Sequence, residues 1–273
     1  MNSNDKAVQL YLDLLKKTLA FTLWPEPSAP AFQDSPIMRT LLTGIVNMFS
    51  RRELQLVERV DVSGEERADG RIWPGYAETM IGLKRLDNLQ SCLETVLNER
   101  IEGDCIETGV WRGGACIFMR ALLKAYGIED RRVFVADSFA GLPRPNEKKY
   151  AADRGDRHYT RSFLAVSRDT VARNFEKYGL LDDKVVFLEG WFKDTLPAAP
   201  IDKLAILRFD GDMYESTMDV LENLYPKLSP DGFCIIDDFA LPNCKLAVHD
   251  FRKKYGITSE IVEIDWTGVY WRK

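Results

Sequence analysis

Hydrophobic and polar positions repeat with two different periods along this chain, and the period changes once. Up to about residue 100, apolar residues recur at helical spacing. Val8, Tyr11, Leu12, Leu15 and Leu19 predict a helix between Asp5 and Trp24. The proline-rich "WPEPSAPAF" (Trp24 to Phe32) breaks it and reads as a linker. A second helix is expected over Arg39 to Val60, and a polar, glycine-containing loop over Glu65 to Gly75. Glu78 to Arg100 predicts the strongest helix, with Leu83, Leu86, Leu89, Leu93 and Leu97 on one apolar stripe.

After Gly103 short apolar runs alternate with amphipathic helices. The runs are "DCIETG" (Asp104 to Gly109), "VFVADSF" (Val133 to Phe139), "KVVFLEGWF" (Lys184 to Phe192), "LAILRFDGD" (Leu204 to Asp212) and "GFCIIDDF" (Gly232 to Phe239). Helices are expected to start near Gly114, Ser167, Met213 and Ala240. Such alternation predicts a parallel, doubly wound α/β sheet. The stretch "SEIVEIDWTGVYWRK" instead has two strands around Trp266-Thr267-Gly268 with no helix between them. That is a hairpin, so one edge strand should be antiparallel. Gly141 to Phe163 is too long and too charged for a simple connection, and is expected to be a lid over the site. Its Tyr150 and Tyr159 would offer aromatic surface to a ligand. The division expected is a helical extension over 1–75 and an α/β domain over 76–273.

The 273 residues, 45% hydrophobic and 29% charged, suit a soluble globular protein with a sizeable core. A net charge of -5 weighs against nucleic acid as a partner. The first turns, "MNSNDKAVQLYLDLLKK", carry charges where a leader would be apolar, and no run approaches a membrane span. Cys92, Cys105, Cys116, Cys234 and Cys244 show no CxxC spacing and read as buried thiols in a reducing compartment. A cytoplasmic protein is expected.

In an open parallel sheet the ligand lies beyond the carboxyl ends of the strands. Glu107, Asp137, Glu189, Asp210 and the pair Asp237-Asp238 all stand at such ends. The loop "ETGVWRGG" follows a strand and opens a helix, yet it is not GxGxxG, and Glu107 would repel a pyrophosphate. Gly109 and Gly113-Gly114 permit a tight turn. Asp137 could accept two hydrogen bonds from ribose hydroxyls. Glu107, the glycine loop and Asp137 thus describe a nucleoside site without phosphates, and S-adenosylmethionine fits it: its cationic sulfonium suits an acidic pocket. Asp210, Asp237 and Asp238 would repel one another without a cation. An all-oxygen set suits Mg²⁺, and zinc is disfavoured because His158 and His249 stand in other contexts. Asp212, two residues past Asp210, would then accept a proton from a substrate hydroxyl.

"ETMIGLKRLDNL", "IETGVWRGG", "ADSFAGLP", "FLEGWFKDTLP" and "LRFDGDMYESTMDVLENLYPKLSPDGFCIIDDF" resemble the macrocin O-methyltransferase (TylF-type) family, which includes novobiocin and mycinamicin sugar O-methyltransferases. The resemblance covers Tyr76 to Lys273 and only loosely the residues before. It implies a Rossmann-like class I methyltransferase sheet, mostly parallel, with an antiparallel C-terminal hairpin strand and N-terminal helices. It implies Mg²⁺-dependent methylation, by S-adenosylmethionine, of a sugar hydroxyl on a small glycosylated acceptor in antibiotic biosynthesis. Motif by motif, Asp210, Asp237 and Asp238 would be metal ligands and Asp212 the base. Glu107, Thr108, Gly109, Val110, Trp111, Asp137, Ser138, Phe139 and Asp210 would hold the cofactor. Gly190 and Trp191 would border its adenine with Phe175 nearby, and Thr79 and Met80 would touch it from the helical side. The expected partners are that acceptor and further copies of this chain as a homo-oligomer, with no nucleic acid and no membrane. Rival readings are a nucleotide-sugar glycosyltransferase using "DGD", an NAD(P) dehydrogenase, a catechol-like O-methyltransferase and a non-catalytic S-adenosylmethionine-binding protein.

Overall fold

The computed structural model describes residues 3–24, 28–30, 57–59, 64–72 and 75–273. Its main sheet has seven strands: β1 (Asp104–Thr108), β2 (Val133–Asp137), β3 (Val185–Glu189), β4 (Leu204–Phe209), β5 (Leu228–Ile236), β6 (Val262–Glu263) and β7 (Val269–Arg272). They lie in the order β3-β2-β1-β4-β5-β7-β6. β1 to β5 run parallel. β7 runs antiparallel to both β5 and β6. The hairpin is therefore as expected, but its second strand enters the sheet and its first strand becomes the edge. The chain winds outward in both directions from β1, so a crevice opens between the carboxyl ends of β1 and β4.

Helices α1 (Ser3–Leu19), α2 (Leu83–Asn98), α3 (Gly114–Ala125) and α4 (Arg168–Lys177) share one core cluster with Cys105, Val133, Val135, Ile206, Phe233 and Ile235. On the other face α5 (Tyr214–Leu224) and α6 (Pro242–Tyr255) pack with Ile106, Phe134, Ala136, Leu207, Phe209, Cys234 and Ile236. The period-2 alternation of the strands divides these residues between two layers. α3 is buried along its length from Gly114 to Leu123, because α1 and α2 cover the side that the sheet does not. All five cysteines are free and buried, as expected. Among the described residues no helix is long and apolar enough to cross a membrane.

The helical pattern overreached in three places. α1 stops at Leu19 rather than Trp24, where Phe21 takes a positive φ. α2 begins at Leu83 rather than Glu78, because Gly82 presses against the backbone of Ala68 and Gly70, where a Cβ would sit 2.2–2.3 Å from their atoms. Residues 78–82 are thus freed to reach the site. Within the expected second helix, Val57–Arg59 is instead a strand pairing with Ser28–Pro30 of the expected linker. Residues 39–56 and 60, and linker residues 25–27 and 31–32, lie outside the described residues. The expected loop over Glu65 to Gly75 contains a one-turn helix, Gly64–Ala68, and its residues 73–74 also lie outside.

Candidate active site

The carboxyl ends of β1, β2 and β4 open into a cavity of about 330 Å³. Its wall includes Thr79, Met80, Glu107, Gly109, Val110, Trp111, Asp137, Ser138, Gly190, Trp191, Asp210 and Asp212. Gly109 has φ +82°, and a Cβ there would fall 1.7 Å from the carbonyl oxygen of Asp210. Only glycine lets the β1 and β4 loops come this close. Asp137 is engaged more fully than the sequence implied: Oδ2 accepts from the Val110 amide at 2.8 Å and Oδ1 from the Phe139 amide at 2.7 Å. Ser138 Oγ also stands 3.5 Å from Oδ1. Burial pushes this carboxyl up, with those two amides opposing.

Strand alternation puts Glu107, Arg208 and Asp237 on the face toward α2. Glu107 and Arg208 are register partners on β1 and β4, and Asp237 follows β5. Arg208, 1% exposed, pairs with Glu107 and Asp237. Arg85 of α2 pairs with the other oxygen of Asp237 and, at 2.9 Å, with Asp265. The Cys116 thiol donates to Glu107 at 3.0 Å. Glu107 is therefore not the free anion that the sequence suggested, since Arg208 neutralises it. Burial pushes Glu107 up nonetheless.

Asp210, Asp237 and Asp238 each offer an oxygen, all within 4.8 Å of one another. Their protonation differs by neighbour. Burial and the charges of Asp238 and Asp237 push Asp210 well above its ordinary 3.8. Burial, Asp212 and Asp237 push Asp238 up to about 7. Asp237 goes the other way: burial would raise it, but Arg85 and Arg208 hold it below the ordinary value. Repulsion from neighbouring aspartates thus adds to burial at Asp210 and Asp238, while the two arginines outweigh burial at Asp237. Asp212 lines the cavity with a left-handed φ of 54°, and its amide donates to Asp238 Oδ2 at 3.0 Å. Burial, Asp210 and Asp156 push its carboxyl up to about 8.

The segment Gly141 to Phe163 is a built strap with 3₁₀ turns at Ala151–Asp153, His158–Thr160 and Ser162–Leu164. Ser138 Oγ donates to the Gly141 carbonyl at 2.6 Å, and Trp111 Nε1 to the Phe163 carbonyl at 3.0 Å. Gly141, Leu142, Pro143, Arg144 and Asn146 face the cavity. Tyr150 and Tyr159 do not: Tyr150 packs on Tyr214, and Tyr159 lies under the Arg144 guanidinium. His158 pairs with Asp156 and His249 packs on Phe239, so neither histidine belongs to the acidic cluster.

The sequence model of the macrocin-O-methyltransferase (TylF) family matches residues 8–273. The chain belongs to this family. It is an O-methyltransferase, and the match carries the resemblance through the N-terminal helices. The 8-demethyl-8-(2,3-dimethoxy-alpha-L-rhamnosyl)-tetracenomycin-C 4'-O-methyltransferase of Streptomyces olivaceus is 51% identical over 98% of this chain and 94% of its own length. The mycinamicin III 3''-O-methyltransferase of Micromonospora griseorubida is 49% identical over 99% of each chain. The solved structure of the O-methyltransferase NovP is 47% identical, covers 97% of this chain and 99% of its own, and has a TM-score of 0.83. The dehydrogenase, glycosyltransferase and non-catalytic readings fall with this membership.

Several residues singled out in the sequence do not line the cavity, Asp237 and Asp238 of the carboxylate cluster among them. Phe175 is fully buried beneath Gly113 and packs on Phe187, so it is core. Thr108 is fully buried, and its carbonyl accepts the Asp210 amide. Phe139, also at positive φ, packs on Phe187. Glu189 points into solvent toward Arg168. Conversely, Ile81, Phe192, Lys193, Glu215, Ser216 and Asp219 line the cavity and were missed. Glu215 and Asp219 stand four apart on α5, so helical spacing after Asp212 would have found them.

Proposed function

We propose that this enzyme transfers the methyl group of S-adenosylmethionine to a sugar hydroxyl of a glycosylated natural product, with Mg²⁺ held by Asp210, Asp237 and Asp238. The observation that carries the reading is that Asp210 and Asp212 line one cavity with the glycine loop and Asp137, while Asp237 and Asp238 each bring an oxygen within 4.8 Å of Asp210. The names of its relatives support the acceptor class: one acts on a rhamnosyl-bearing tetracenomycin and another on mycinamicin III.

The donor set fits a hard cation. It is all oxygen, and burial, joined by the charges of neighbouring aspartates, pushes two of its carboxyls toward protonation. When bound, the cation would polarise an acceptor hydroxyl. Asp237, fixed by two guanidiniums, supplies an ionised oxygen at every pH of interest. Asp137 and the glycine loop orient the nucleoside. Burial, Asp210 and Asp156 push Asp212 up to about 8 without a cation; it would take the hydroxyl proton in its ionised form, which a cation offsetting the charge of Asp210 would favour. The methyl donor is already activated, so alignment and water exclusion by the strap supply most of the remaining acceleration.

Incubation with S-adenosylmethionine, Mg²⁺ and a panel of rhamnosylated natural products should give products heavier by one methyl group. Asp212→Asn should slow turnover by ~10²-fold or more while S-adenosylhomocysteine still binds. Near-parent turnover would remove Asp212 from the base role. EDTA should abolish turnover and Mg²⁺ restore it; full activity in metal-free buffer would remove the cation.

A further inference from the structure

One buried carboxylate is used by neither the cofactor reading nor the cation reading. Asp153, in the middle of the strap, is 0% exposed. Its Oδ1 accepts from the Tyr214 amide at 2.6 Å, and its Oδ2 from the Glu215 amide at 2.9 Å. Asn243 Nδ2 donates to Oδ1 at 3.3 Å. Tyr214 and Glu215 open α5, where free N–H groups and the helix dipole favour an anion. The anion comes from 61 and 62 positions upstream, so this is a tertiary fastening and not a local cap.

Asp212 stands two residues before Tyr214. Its φ of 54° lies in the left-handed region, uncommon outside glycine although aspartate tolerates it better than most residues. On one side β4 fixes the turn. On the other, the turn runs through fully buried Met213 directly into the clamped first turn of α5. Asn243 lies in the first turn of α6, shortly after Asp237-Asp238. The Tyr150 ring packs against Tyr214, 5.8 Å between centroids, beside the same clasp.

The geometry points to Asp153 as the positioning residue for Asp212. It fastens the strap to α5 and, through that helix's first turn, holds the left-handed Asp212 at the cavity wall. This rests on the reading of Asp212 as the proton acceptor. It also makes the strap a fixed wall at its middle.

Hydrogen exchange read by mass spectrometry tests this without an acceptor. In Asp153→Ala, peptides covering Gly211–Met218 and residues 146–161 should both exchange about tenfold faster or more, while β1 and α3 peptides stay at the parent rate. The S-adenosylhomocysteine dissociation constant should stay within about threefold of the parent, because Asp137 and the glycine loop are untouched. Asp153→Asn keeps one acceptor oxygen but turns an NH₂ toward the second amide, so its exchange should fall between parent and Ala. A residue that only fills volume would let Asn match the parent. Parent-rate exchange over Gly211–Met218 in the Ala variant, or an Asn variant equal to the parent, overturns the assignment. If Asp153→Ala does not fold, Asp153→Asn and Asn243→Ala carry the same comparison. Asp212→Asn run in parallel separates the two readings: retained turnover there sinks the base role, while the exchange rates still decide whether Asp153 clamps the turn.

Discussion

Arg208 stands in the middle of "LAILRF", a strand otherwise apolar, and almost none of it meets water. A guanidinium so placed is tolerable only if paired, and it bridges Glu107 and Asp237 with separate nitrogens. Arg208→Met should cost about 3–5 kcal/mol in urea unfolding, because two buried carboxylates lose their partner. Arg208→Lys should recover little, since one ammonium does not reproduce the fork. A loss below about 1 kcal/mol in Arg208→Met would mean that water or Arg85 replaces it. The signal was in the sequence: a charge inside a buried strand asks for opposite charges at neighbouring strand positions. Arg85 was harder to find, because between Lys84 and Asp87 it reads as the solvent face of a leucine-striped helix. The acids at the strand ends were legible as a group. Which of them were neutralised was not, because pairing depends on residues over a hundred positions apart.

At the scale of elements, period and punctuation located the five parallel strands and the hairpin, since each carries its own pattern. They did not fix where α2 begins, because Gly82 is set by contact with Gly70 and not by the leucine stripe. They did not show that β7 would intercalate, because strand order is a tertiary outcome. One joint between elements gives a pH test. Arg120 on α3 grips Asp182, in the turn before β3, through Nε at 2.9 Å and Nη2 at 2.7 Å. The hydrogen bond from Arg120 is the leading cause that holds Asp182 below its ordinary 3.8. A depressed carboxylate contributes stability that is complete above the unfolded pKa and fades as pH falls through the folded one. Asp182→Asn should thus unfold at lower urea than the parent at pH 7, by on the order of 1 kcal/mol. The gap should narrow below about pH 4. An equal gap at pH 7 and pH 3.5 would assign the loss to packing.

For the whole molecule, the carboxyls raised in the site set a linkage of opposite sign. Asp212 and Asp238 keep protons up to about 8 and about 7. Their folded values exceed their unfolded ones, so the metal-free protein should lose stability progressively as pH rises from about 4 to 8. The proposed Mg²⁺ would compete with those protons, so its apparent affinity should rise over the same window, with protons released on binding. Calorimetry in buffers of different ionisation enthalpy would count them. At a hundredfold excess over its dissociation constant, Mg²⁺ should add about 2.7 kcal/mol to unfolding. Affinity independent of pH would argue that the cluster is ionised before the cation arrives.

The placement of β7 between β5 and β6 bears on how the enzyme is made. The contact between Arg85 and Asp265 joins residues 180 positions apart, and Thr267 Oγ1 anchors the Asp237 carbonyl from the same hairpin. A ribosome delivers residues in order. A nascent chain that has released every acid at the strand ends still lacks the wedge that holds Asp237 between its arginines. The pocket can therefore mature only after the hairpin has emerged and slid in beside β5. Until then Arg85 lacks its second carboxylate, Asp265, and the Asp237 carbonyl lacks Thr267.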